Sequence, residues 1–320
     1  MKERKKVTFI KNNKETSTEI NLFTKKNIGE ILFTKQSAQE EFGSIYYIND
    51  DIEYLELNNI IFPKNVKFFI PQNSILVLNN CTFKTGKIDV IGGNVDIVNP
   101  ILNEGIYTNR ISLSNVGIFN LLSNNKNKGY ITLSGNAKEA VIGIKNTINR
   151  IALTTEKVFL QNIKNIKELD IKSITTILKN CDIEIDENKQ IATNSLVLDD
   201  SQIIYQTSTS NATLEVEFIK MKDSMINFNS IYMILAVIKS KLISLSNSEI
   251  SSRSSIKIDT SNITIDDNSK LVAEQDITIN EDRYIRKKED DNVEINSDNQ
   301  EAINAQRKLI STLKTLTKRK

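Results

Sequence analysis

Along most of the chain, apolar residues come in pairs two positions apart, a polar couple interrupts, and the alternation then resumes. Leu55-Glu56-Leu57-Asn58-Asn59-Ile60-Ile61-Phe62 returns 21 positions later as Leu76-Val77-Leu78-Asn79-Asn80-Cys81-Thr82-Phe83. The frame recurs at Ile111–Ile118, more loosely at Ile131–Gly135, and again at Leu178–Ile183, Leu196–Ile203, Ile219–Ile226 and Ile256–Ile263. A spacing of two is the period of a β-strand, so each copy predicts strand, corner, strand. Repetition at about 20 residues is the length of one turn of a solenoid.

The corner position is filled by Asn59, Asn80, Asn115, Asn180, Asp200 and Asp223 in successive copies. Asn and Asp are the non-glycine residues that best tolerate the left-handed backbone region a tight corner needs. Stacked coils place them in one row about 4.8 Å apart, a spacing at which side chains hydrogen-bond from coil to coil. These six residues are therefore expected to form a structural ladder. The next position is small (Cys81, Cys181, Ser201, Ser224, Ser261), as a side chain turned into a narrow interior corner must be.

Further alternations, Ile88-Asp89-Val90, Val95-Asp96-Ile97 and Leu214 to Phe218, fill the intervals without sustained helical spacing. Each coil thus holds two or three short strands, and about ten or eleven coils would stack to on the order of 50 Å. The pattern over Ile52 to Ile279 resembles the right-handed parallel β-helix superfamily, which includes pectate-lyase-like enzymes, phage tailspikes and bacterial surface solenoids. The resemblance is architectural, because no active-site motif of those families is present. A leucine-rich-repeat solenoid is the alternative, since Leu76 to Phe83 and Leu196 to Ile203 also fit its core pattern. That fold needs a helix or a proline-bearing arc in each repeat, and the intervals offer neither.

Four segments follow: an N-terminal cap over 1–51, the β-helix over 52–282, a charged linker over 283–296 and a helix over 297–320. Thr34 to Phe42 reads as a short helix within the cap. Ser297 with Gln300 and Asp298 with Glu301 form overlapping capping boxes at the start of the terminal helix. Its stripe of Ile303, Leu309, Ile310, Leu313 and Leu316 either covers the last coil or pairs with copies of itself to make a homo-oligomer.

Composition suits stacked strands: 39% apolar residues, only 6% aromatic, no Trp, and just 10 Gly and 3 Pro for turns. Forty-two basic against 40 acidic residues leave a net charge of +2. No global field therefore draws the chain to nucleic acid or to an anionic membrane. No run of about 20 apolar residues predicts a membrane span, and Met1–Lys14 lacks the apolar core of a signal peptide. The expected location is the cytoplasm, a virion, or the exterior by a route other than the general secretory one. Cys81 and Cys181 are too few for a disulfide framework and are expected as buried thiols.

With no His at all, the usual general base and the commonest metal ligand are both missing. No phosphate-binding glycine loop is present, so neither a nucleotide cofactor nor a metal is indicated. Carboxylates remain: Asp182, Glu184, Asp199 and Asp200 are the candidates for a catalytic pair, with Asp89 and Asp96 as a second set. Glycosidases hold such pairs roughly 5–9 Å apart. Sugar-binding grooves also stack rings on sugar faces, and 8 Tyr and 12 Phe, several of them in inward slots, supply few. The sequence thus favours a non-enzymatic structural or binding rod, such as a component of a phage particle, secreted apparatus or cell surface that meets a glycan or protein surface. The alternative is a polysaccharide lyase or glycoside hydrolase.

Overall fold

The computed structural model describes residues 6–19, 32–33, 39–40, 43–102, 109–124, 130–144, 148–164, 166–280 and 282–284, all within one unit running from Met1 to Ile285. These residues build an all-β parallel solenoid of about 11 turns with almost no helix. The helices or arcs of a leucine-rich repeat are not found among them.

Most coils contain one long strand that serves two faces. Asn65–Asn79, Lys87–Val98, Asn109–Ser123, Ile131–Ile144, Ile148–Gln161 and Glu168–Lys179 pair in parallel, each with the next. The bend between the faces shows as register shifts between Ile70 and Ile75 and between Leu113 and Val116. Further on the strand breaks there, and Asn211–Glu215 and Phe218–Lys222 both pair with Leu235–Ser246. A third face holds short strands, first Ile61–Phe62, Thr82–Phe83 and Ile101–Leu102, later Asp182–Ile185, Gln202–Tyr205, Met225–Phe228, Glu249–Ser252 and Lys270–Ala273.

Period-two alternation sends every second side chain inward, and the parallel register stacks these into columns. On the second face one column runs Leu55, Leu76, Val95, Phe119, Ala140, Val158, and its neighbour Leu57, Leu78, Ile97, Leu121, Ile142, Leu160. All twelve are buried. A buried aliphatic side chain contributes roughly 1.5–3 kcal/mol, and here it gains that only from the coils above and below, so the stack is the folding unit. Phe62 lies over Phe83 and Tyr205 over Phe228, ring on ring, inside the third face.

The chain leaves the second face through a residue with positive φ: Asn59 (57°), Asn80 (52°), Asn180 (50°), Asp200 (49°) and Asp223 (49°). The N–H of each bonds the same carbonyl of the next coil, as in Asn80 to Val98 (2.9 Å) and Asp200 to Lys222 (3.0 Å). Asn99, Asn162 and Asn247 occupy this corner too.

Asn115 does not belong to that row. Its φ is also positive (53°), but it sits at the bend between the first and second faces, where its N–H bonds the side-chain oxygen of Asn136. The frames starting at Ile111, Ile131 and Ile256 lie on the first face, half a coil out of phase with those starting at Leu55 and Leu76. Ser261 is displaced for the same reason, and Ser248 holds the small interior slot instead.

The N-terminal end is closed by a hairpin. Lys6–Lys11 pairs antiparallel with Ile52–Asn58 on one side and with Lys14–Glu19 on the other. Asn12 and Asn13, both at positive φ, make the two-residue turn. Val7 and Phe9 bury against the first coil. A helix over Thr34–Phe42 is not formed throughout, because Gln39–Glu40 is a strand folding back on Gly43 and Ser44; the rest of that stretch lies outside the described residues. At the other end Asp282–Tyr284 pairs antiparallel with Ile277–Ile279, so the first residues assigned to the linker belong to the solenoid. The terminal helix and its stripe from Ile303 to Leu316 lie outside the described residues.

Candidate functional site

Two surfaces stand out, one polar and one apolar. The polar one is an open groove of about 560 Å³ along the corner between the second and third faces. Asn180, Asp200, Asp223 and Asn247 form one rim, and Asp182, Gln202 and Glu249 line the other.

Its floor is a hydroxyl ladder. The N–H of Cys181 bonds Ser201 Oγ (3.0 Å), that of Ser201 bonds Ser224 Oγ (3.1 Å), that of Ser224 bonds Ser248 Oγ (3.2 Å), and that of Ser248 bonds Ser269 Oγ (3.0 Å). Each of the first three serines also donates to a carbonyl two residues back in its own coil. Cys81 and Cys181 occupy the same slot and donate their thiols to carbonyls. Burial pushes the Cys81 thiol up to about 12, against weaker backbone hydrogen bonds that pull it down. Both cysteines are buried and unpaired.

The candidate carboxylates are divided between surfaces. Asp182 and Asp200 reach the groove together. Glu184 lies two residues further along the third face, beside Ile204, and does not line it. Asp199 points outward on the second face and pairs with Lys179 (3.3 Å). Asp223 accepts a bond from Asn247 Nδ2 (2.7 Å), and Asn180 Nδ2 donates to Asn162 (2.6 Å), so much of the rim is occupied in coil-to-coil bonding. Asp89 and Asp96 are not brought together: Asp89 is on the first face beside Lys87, and Asp96 on the second, holding the Asn120 amide (2.6 Å). Among the described residues no group of three or more His, Cys, Asp or Glu is arranged to hold a metal ion.

No protein-family model, curated protein or solved structure matches the chain.

The apolar surface lies on the outside of the second face. Its middle outward column reads Asp96, Asn120, Val141, Phe159, Ile177, Val197, Lys220 in successive coils. Four adjacent positions that alternation would make polar are apolar and half-exposed. Ile118, Leu122 and Phe218 extend the patch at 43%, 37% and 44% exposure. Parallel sheets are ordinarily covered on both faces, whereas here, among the described residues, nothing covers the outer one. A second apolar feature is the turn Ser230–Ile234 between two coils. Met233 anchors it in the core and Ile231, Tyr232 and Ile234 project into solvent.

Sequence reasoning missed this face. The signal was present, because in Ala140-Val141-Ile142, Val158-Phe159-Leu160 and Leu196-Val197-Leu198 the apolar run is unbroken where the outward residue should be polar. It also missed the corners at Asn99, Asn162 and Asn247, although Ile243-Ser244-Leu245-Ser246-Asn247-Ser248 repeats the frame in full.

Proposed function

We propose that the chain is a non-catalytic β-solenoid that works as a rigid contact element, presenting the second face to a macromolecular partner. The observation that carries this reading is the stripe Val141, Phe159, Ile177, Val197, ringed by Glu139, Lys157, Lys179 and Asp199. An apolar centre within a polar rim is the anatomy of a protein contact surface. The carboxylates add support, since Asp199 and Asp223 are engaged in bonds between coils.

A second reading follows from the groove. Asp182 and Asp200 on facing rims of one groove, with amides and Glu249 along them, offer donors and acceptors at coil spacing to an extended polar chain such as a polysaccharide. Assays for new reducing ends and for unsaturated products across a glycan panel separate the two. The contact-element reading expects no turnover. Turnover that Asp182→Asn or Asp200→Asn abolishes would overturn it in favour of a paired-acid glycan-cleaving enzyme.

A further inference from the structure

We propose that the partner of the second face is a second copy of this chain, laid against it with its coils stacked in the opposite sense. The proposal rests on the reading of this face as a contact surface and adds the identity of what meets it.

The middle column is complementary to its own reverse. Its central seven positions run from Asp96 and Asn120 through four apolar residues to Lys220, with Val77 before them and Ser244 after. A two-fold axis parallel to the strands, passing between Phe159 and Ile177, sets Phe159 of one copy over Ile177 of the second and Val141 over Val197. The same rotation brings Lys220 opposite Asn120 and one coil from Asp96, whose carboxylate already holds the Asn120 amide at 2.6 Å. In the flanking column it lays Ile118 over Phe218, pairing two of the largest exposed apolar side chains on this face. Stacking in the same sense would instead set Asp96 against Asp96 and Lys220 against Lys220. Charge therefore selects the reversed arrangement.

The area is adequate. Seven coils about 4.8 Å apart and three outward residues per coil span on the order of 700 Å². A stable interface uses roughly 800 Å² per partner. Two such faces pack as aligned sheets do, with the apolar columns interdigitating about 10 Å apart.

Sedimentation equilibrium of the full chain, compared with Phe159→Glu, Lys220→Glu and, as control, Thr213→Glu on the outside of the first face, tests this. The native chain and the control should associate as dimers. Phe159→Glu and Lys220→Glu should each weaken the dimer by about tenfold or more while keeping the strand spectrum in circular dichroism. Disulfide trapping gives a test that needs no loss of association. Val141→Cys and Val197→Cys proteins should form a covalent dimer under oxidation when mixed and not when oxidised separately. A monomeric native chain, a dimer unmoved by both charged variants, or trapping that does not depend on mixing would each overturn the proposal. Its failure is distinguishable from failure of the contact-element reading. A monomer that cleaves no glycan ends only the dimer, and glycan turnover ends only the non-catalytic assignment.

Discussion

The two bends of a coil are built in opposite ways, although the same long strand feeds both. Where the chain leaves the second face, a residue at positive φ recurs at Asn59, Asn80, Asn99, Asn162, Asn180, Asp200, Asp223 and Asn247. The N–H of each but Asn247 bonds a backbone carbonyl of the next coil, and the buried side chain that follows is small at Cys81, Cys181, Ser201, Ser224 and Ser248 but larger at Ile60, Pro100 and Ile163. Between the first and second faces the bend becomes regular only from Thr155 on, where the register runs through unbroken and Thr193, Ser240 and Thr260 each donate to the carbonyl two residues ahead; in the earlier coils it is improvised. Gly92 and Gly93 turn one coil, Asn115 the next, Gly135 the one after, and the register slips between coils. The regular corner repeats a single bonding scheme, so its energetics should be uniform along the stack. The irregular one depends on local fit and should be sensitive position by position.

The largest test of this contrast is Gly135→Val. A Cβ at Gly135, where φ is +125°, would collide with the carbonyl oxygen of Leu113 and crowd its backbone carbon and nitrogen, none of which can yield as the end of a flexible side chain could. A loss of about 3 kcal/mol or more in urea unfolding is expected. At the regular corner Asn180→Leu should cost about 1–3 kcal/mol, from left-handed strain and the lost bond to Asn162. Asn180→Gly keeps the backbone freedom and loses only the amide, so it should cost less than about 1 kcal/mol. Equal losses for the two Asn180 variants would show that the amide, not the φ angle, makes the corner. Ser224→Ala strands the N–H of Ser201 in the neighbouring coil and should cost about 1–2 kcal/mol.

The smallest expected effect is in the cysteine slot. Unfolding frees the Cys81 thiol to ionise above its ordinary value of 9, while the folded thiol stays protonated to about 12. The unfolded state therefore binds fewer protons, and stability should decline as pH rises through that window. At neutral pH neither Cys81 nor Cys181 should react with a thiol reagent until the protein unfolds. Prompt labelling of the native protein would place one of them outside the core.

The same contrast explains what could be read from the sequence. The regular corner was legible because its requirement is chemical: a residue tolerant of positive φ, followed by a buried and often small one, after two inward apolar residues. Five of the six predicted corner residues share that row, and the inward columns followed from period two alone. Asn115 fell in the wrong row because both bends attract Asn, and a frame of eight residues cannot say which half of a coil it occupies. The outward stripe was hidden by a different ambiguity: Val158-Phe159-Leu160 reads as core on either side. The N-terminal hairpin was missed because Lys14–Glu19 is a strand of polar residues with no buried face to give alternation. Of the four candidate acids only Asp182 and Asp200 reach one groove; that Asp199 would turn to the opposite side of its corner follows from the alternation itself.

A column of equivalent rungs is in effect a one-dimensional crystal, and nothing in a rung says where growth should end. The first hairpin supplies the stop. By entering antiparallel, Lys6–Lys11 offers the first coil a complementary edge that no further rung could imitate. Lys14–Glu19 then presents Lys, Glu, Thr and Ser to the outside, a surface on which another rung finds charge and nothing to bury. Termination at that end is thereby written into some fourteen residues, while the length of the column is left free to vary by whole turns.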